Sequence, residues 1–236
     1  MGIEQSRGAE RPARGSGPAT AEGVSMQILS TEHWSLLATR SLGYTEFFGR
    51  ANMFFSVLSG AVIALALIAQ AGRFETFIVA AMLLLAITFF VGIATIARIS
   101  QLNYEDFLWV TGMNRIRHAY LELRPELARY FITSGHDDVL GILTTLGLAK
   151  EVPGRRVLAD IGHGFTTLPG MLAIIVAVVA GAWVAVAAVA LGFAQPLVVA
   201  AGVAGFLITL VGNAIWGQRT FVSLRQGITA QFPSSS

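Results

Sequence analysis

The chain has no cysteine, which excludes disulfides and thiolate metal sites and leaves its redox compartment unmarked. Lysine is nearly missing too: Lys150 is the single one, and the other fifteen basic residues are arginine. That bias reads as the codon usage of a bacterial genome rather than as a surface built for phosphate. Charge of either sign is scarce. Asp, Glu, Lys and Arg make up 13% of the 236 residues, against about 25% in a typical soluble domain. A net charge of +2 is too small to argue for a nucleic-acid partner. No proline interrupts Thr76 to Arg124, so nothing there forbids continuous helix.

What fills the chain instead is apolar. Hydrophobic residues are 54% of the total and the mean hydropathy is +0.66, too little polar surface to cover a water-soluble globule. Four blocks meet the length of a membrane span: Ala51–Ala71, Thr76–Ala97, Pro169–Leu191 and Pro196–Gly217. None holds Asp, Glu, Lys, Arg or His. A soluble core helix of that length would show a polar face, and these do not. A helix also satisfies its own backbone groups in lipid. The predicted fold is therefore all-α: a polytopic membrane protein with four transmembrane helices in two hairpins and a cytoplasmic helical segment between them.

The basic residues set the orientation. The tight connections Gly72–Glu75 and Gly192–Gln195 hold only Arg73 between them. By the positive-inside rule, both termini and the central segment face the cytoplasm of a cell inner membrane. The resulting organisation is a disordered tail (1–25), a cytoplasmic or interfacial amphipathic helix (26–50), hairpin one (51–97), a cytoplasmic helical module (98–168), hairpin two (169–217) and a cytoplasmic tail (218–236). The two hairpins run in the same sense and are not an inverted repeat of the transporter kind. The opening MGIEQS matches the N-myristoylation pattern, a short and common one that a bacterial chain does not use. No apolar core follows the early arginines, so the start does not read as a signal peptide.

The charge that exists is concentrated in GMNRIRHAYLELRPELARY, residues 112–130. Trp109, Met113, Ile116, Tyr120 and Leu123 form a narrow apolar stripe at helical spacing, bordered by Arg117 and Arg124. Thr111, Arg115, His118 and Glu122 lie on the opposite face. We expect the second span to run straight into this helix, although NYED offers Asn103 as the cap of a restart. Pro125 suits the first turn of a new helix, PELARYFI, and Asp137 suits the cap of another, DVLGILTTLGLA. KEVPGRRVLADIGHGF then leads back to the membrane as a linker. Ahead of the first span, Trp34, Leu37, Tyr44 and Phe48 share one face, as an interfacial anchor or a surface packed on the module would.

Several clusters invite a chemical reading. His136, Asp137 and Asp138 look like metal ligands, but three consecutive residues point in different directions and lack an HxxxH spacing. His118 and Glu122 suit a metal or acid–base pair, and equally a solvated helix face. Arg115, Arg117, Arg124 and Arg129 could gather around a phosphate, yet the acids nearby nearly balance them. No phosphate loop, nucleophile elbow, paired-carboxylate motif or cofactor motif is present. The candidate ligand- or partner-binding residues are thus Arg115, Arg117, His118 and Arg124, with no catalytic residue, metal ligand or cofactor assigned.

Within the spans, small residues recur every fourth position: Ser56, Gly60 and Ala64; Ala173, Ala177, Gly181 and Ala185; Ala201, Gly205, Thr209 and Asn213. Such ladders let helices approach closely, within the chain or between copies. Asn213 is the most polar residue at membrane depth, a candidate helix clamp or pore constriction. The absence of ionisable groups at depth argues against a proton relay.

TEHWSLLATRS before the first span, GMNRIRHAYLEL after the second and GHDD beyond it resemble a family of small bacterial four-transmembrane-helix proteins without an assigned function. The resemblance covers roughly residues 29–140 and implies the same topology. It implies no activity and brings no site residues. The sequence reading is a non-catalytic membrane protein in contact with the lipid bilayer, self-associating as a homo-oligomer. It would act as a scaffold or signal-responsive component, with a cytoplasmic protein or small ligand as partner and no nucleic acid. The alternatives are an oligomeric channel and, behind it, a membrane-embedded enzyme using His118, His136 and Asp137.

Overall fold

The computed structural model describes residues 18–148, 168–227 and 229–234, and over these it is all-α. The helices are α1 (Pro18–Gln70), α2 (Phe74–Leu123), a 3-10 helix (Pro125–Tyr130), α3 (Val139–Thr145), α4 (Leu168–Ala190) and α5 (Gln195–Gly227). Proline marks the starts. Pro18 opens α1, Pro125 opens the 3-10 helix, and Pro169 and Pro196 are second in α4 and α5, where the missing N–H has no helical partner to lose. Glycine marks the ends of α1 and α4, with Gly72 and Gly192 both at φ +78°. After α4, Gly192 donates to Val189 O (2.9 Å) and Phe193 to Ala188 O (3.1 Å), which satisfies the last carbonyls.

Four helices, α1, α2, α4 and α5, are long and apolar enough to cross a membrane. Two are far longer than that needs. The 53 residues of α1 and 50 of α2 extend about 80 and 75 Å at 1.5 Å per residue, against about 30 Å of hydrocarbon. Apolar and polar parts therefore share one helix. Asn103 lies inside α2 and restarts nothing, so the second span does continue unbroken. Residues 26–50 are likewise not a separate element but the middle of α1, which already begins at Pro18. Their exposed face carries Trp34, Leu37, Tyr44 and Phe48, and the opposite side packs on α2. The expected tail up to residue 17, with its MGIEQS pattern, and the whole linker that starts at Lys150 lie outside the described residues.

The helices stand in a row, α1 on α2, α2 on α4 and α4 on α5, and α5 touches α2 only slightly. Ala51 and Phe54 of α1, Ile96 and Ile99 of α2, and Leu172 and Val176 of α4 form one buried cluster. It sits where the apolar stretches give way to polar ones. Gly92 permits it: a Cβ there would lie 2.6 Å from Val176 Cγ2 and 3.0 Å from Phe54 Cε2. Trp183 of α4 stacks on Phe89 and donates its indole N–H to Met82 O of α2 at 3.1 Å.

Beyond the cluster, two arginines fasten α1 to α2. Arg98 grips Glu46 with both Nε (2.7 Å) and Nη2 (2.8 Å), and reaches Glu105 with Nη1 (3.2 Å). Arg40 holds Asp106 through Nε (2.6 Å) and Nη2 (3.2 Å). Forked pairs of this kind fix direction as well as distance. Gly43 then lets the Trp109 ring close over α1, 2.7 Å from where a Cβ would stand. The cavity left beside it, about 50 Å³, holds a few waters rather than an organic ligand.

Candidate partner-binding site

The polar half of α2 is buried on two sides. One side meets α1. On the other, Phe107, Val110, Thr111 and Asn114 follow at spacings of three, one and three, a second stripe that packs against Ile142 and Leu146. Asn114 is fully buried and organises this side. Its Nδ2 donates to His136 O (2.7 Å), while Oδ1 accepts from Arg117 Nη1 (2.7 Å) and Thr145 Oγ1 (2.9 Å). Thr145 Oγ1 in turn accepts from Ser134 N–H (3.2 Å), and Ser134 Oγ accepts from His136 N–H (3.0 Å). The loop 134–138 and α3 are thereby held to α2 by a connected polar network.

Asp138 caps α3 through Oδ1, which accepts from Gly141 N–H at 2.7 Å. The sequence reading put that cap on Asp137, one residue early. Asp137 is free for a different task. It is fully buried, and its carboxylate accepts from Arg115 Nε (2.7 Å), Gln231 N–H (2.9 Å) and Phe232 N–H (2.7 Å). Asp137 N–H also donates to Phe232 O (3.3 Å). Arg115 Nη2 donates to Thr229 O (3.2 Å), and Asp138 Oδ2 accepts from the N–H (3.0 Å) and hydroxyl of Ser234. The Phe232 ring stacks on His118, centroids 4.1 Å apart at 22°. The C-terminal segment is thus clamped against α2 and the α3 loop.

Burial alone would raise the Asp137 carboxyl; the amides of Gln231 and Phe232, then Arg115, outweigh it and hold the group below its ordinary 3.8. Asp138 is held below that value in the same way, burial opposed by the Ser234 hydroxyl, Gly141 and Ser234 amides, and His136. Both folded-state values lie below the unfolded ones, so the stabilisation is complete above about pH 4 and disappears as pH falls through the depressed values. A fluorophore at residue 236 should keep constant anisotropy from pH 8 to 5 and lose it only below about pH 4. Release centred near pH 6 would instead implicate an imidazole.

The four candidate residues have separate environments. Arg115 and His118 meet the C-terminal segment, and His118 Nε2 also lies 3.6 Å from Glu122. Arg117 is buried against Asn114, its pKa pushed down by burial and then by the charge of Arg40. Burial and then Arg117 likewise push the His33 imidazole down. Arg124 is exposed at the end of α2, 3.8 Å from Glu126, and Arg129 lies over Tyr130. The arginines do not gather as a phosphate site would require. Among the described residues no three of His, Asp and Glu gather as a metal site would.

The ladders divide as well. Gly181 and Gly205 sit in the α4–α5 contact, where a Cβ on Gly181 would lie 2.8 Å from Gly202 O and one on Gly205 2.9 Å from Val184 Cγ2. Ser56 is exposed and returns its hydroxyl to Asn52 O (2.9 Å), and nothing stands within 4 Å of a Cβ on Gly60. Thr209 and Asn213 are half-buried on α5, and Asn213 Nδ2 is buried without a hydrogen-bond partner among the described residues.

Sequence reasoning missed Asn114, Thr145, Ser134, Phe232 and Ser234. Two of the four positions in the second stripe are polar, which hides it from an apolar period. Phe-Pro in a polar terminal segment was the one available sign of the clamp. No protein-family model matches the chain, and no curated protein or solved structure matches it either.

Proposed function

We propose that the chain is a non-catalytic, multi-pass inner-membrane protein, with both termini and the 98–168 module in the cytoplasm. It acts as a scaffold or signal-responsive component through its cytoplasmic helices. The observation that supports this reading is mechanical continuity. α1 and α2 run from apolar to polar without a break, and α5 ends at Gly227, close in sequence to the segment 229–234 clamped to α2. A shift of either hairpin in the bilayer is then transmitted to the module, because rigid helices carry displacement. The concentration of arginine on that side supports the orientation.

The absence of cysteine makes the test direct. A single cysteine at residue 122 should react with a membrane-impermeant maleimide only in inverted vesicles; reaction in intact cells overturns the topology. Cross-linking from a photoreactive residue at 122 in cells should capture a discrete partner that Arg115→Glu removes. The same adducts in wild type and Arg115→Glu would take this surface out of the function.

Self-association belongs to the same reading. α5 is covered mainly by α4, which leaves Val203, Leu207 and Val211 of α5 exposed for contact with a second copy. An oligomeric channel is the second reading, with the half-buried Thr209 and Asn213 of α5 as its polar positions. Conduction in planar bilayers lost in Asn213→Leu supports the channel, and silence of the purified oligomer removes it.

A further inference from the structure

We propose that Asp137, Asp138, Arg115 and His118 form a receptor for an uncharged peptide with the pattern aromatic–proline–serine, and that residues 229–234 are its resident ligand. The contacts are made to the backbone of a short segment that bends at Gln231 and Phe232. Asp137 accepts two consecutive amides, from Gln231 and Phe232, and returns its own N–H to Phe232 O. This two-way exchange fixes the position of residue 232 on the loop.

Specificity comes from three positions. The aromatic ring of Phe232 lies flat on His118. Pro233 has no N–H to leave unsatisfied. Ser234 meets Asp138 with both its amide and its hydroxyl. An acidic ligand is disfavoured, because two carboxylates already face the peptide and like charges repel.

The receptor is assembled without the ligand. Its loop is held by Asn114, Thr145 and Ser134, and Asp138 caps α3 with the oxygen the ligand does not use. The receptor residues lie more than ninety positions from those they bind. A slot that is built separately from its occupant can accept the same chemistry from another chain. The resident segment competes from a tether, at high effective concentration. This inference refines the partner surface proposed above, and its test does not depend on which side of the membrane that surface faces.

Protein lacking residues 229–236, in nanodiscs, is titrated with fluorescein-labelled TAQFPSSS. Saturable binding is expected, at least tenfold weaker to the full chain, whose slot is filled. Phe→Ala in the peptide, and Asp137→Asn in the truncated protein, should each weaken binding at least tenfold. No preference over a scrambled peptide, or binding indifferent to Asp137→Asn, overturns the proposal. Should the truncated protein misfold, full-length Phe232→Ala serves instead: hydrogen exchange at residues 231–234 should rise at least tenfold and the added peptide should now bind. Amides at 231, 232 and 234 that exchange freely in the unaltered chain also overturn it.

Discussion

Replacing Asn114 with alanine should unfasten residues 134–146 from α2 and raise amide exchange there on the order of 100-fold, with the apolar helices unaffected. Three groups lose their partner at once: the His136 carbonyl, the Thr145 hydroxyl and the Arg117 guanidinium. A buried polar group left without a partner costs about 1–3 kcal/mol, and more when it is charged. Arg117 has no carboxylate within 4.0 Å among the described residues to fall back on. With partial relaxation the total is about 2.7 kcal/mol, which at about 1.36 kcal/mol per decade gives the exchange ratio above.

Asn114→Asp separates the terms. It keeps an acceptor for Arg117 and adds charge attraction, but it replaces the Nδ2 donor with an oxygen facing the His136 carbonyl. Exchange should rise at Gly135 and Asp137, next to that carbonyl, and less at Leu146. Equal protection in wild type, Asn114→Ala and Asn114→Asp would show that the network does not hold the loop. The variant should also loosen the C-terminal segment, since Asp137 and Asp138 are positioned by the loop that Asn114 ties down.

The apolar half of this architecture was readable because its signal is one of composition. Twenty uncharged residues in a row have few alternatives to a membrane helix, and proline and glycine bracket them at Gly72, Gly192, Pro169 and Pro196. The continuity of α2 followed from the absence of a breaker between Thr76 and Arg124. Long-range polar pairing was not readable. Arg98 with Glu46, and Asp137 with Gln231 and Phe232, join positions that only the folded chain brings together. A single sequence offers no period for such pairs. Thr111 and Arg117 show the limit most plainly. Polar residues imply water on average, yet these two are buried, with Thr111 bonded to Phe107 O and Arg117 to Asn114. Asp137 misled for a related reason: Asp at a helix start suits a cap, and two adjacent aspartates left one of them free for another task.

The small-residue ladders read alike in sequence and should part under mutation. Gly181→Leu should split α4 from α5 and lower the SDS fraction needed for unfolding in mixed micelles, by the equivalent of about 3 kcal/mol. The first added carbon already lies 2.8 Å from Gly202 O and 3.1 Å from Phe206 Cβ, and a carbonyl in a helix cannot step aside as a side chain end does. Gly181→Ala should fall between, about 1–2 kcal/mol. Gly60→Leu meets nothing within 4 Å, so its unfolding midpoint should match wild type to within about 0.5 kcal/mol. If the Ser56–Gly60–Ala64 face joins copies of the chain, however, Gly60→Leu should reduce the oligomer mass in nanodiscs while leaving the monomer folded. The pair of readouts separates packing within the chain from packing between chains. A wild-type midpoint for Gly181→Leu would refute the α4–α5 contact, and an unchanged mass for Gly60→Leu would leave that face to lipid.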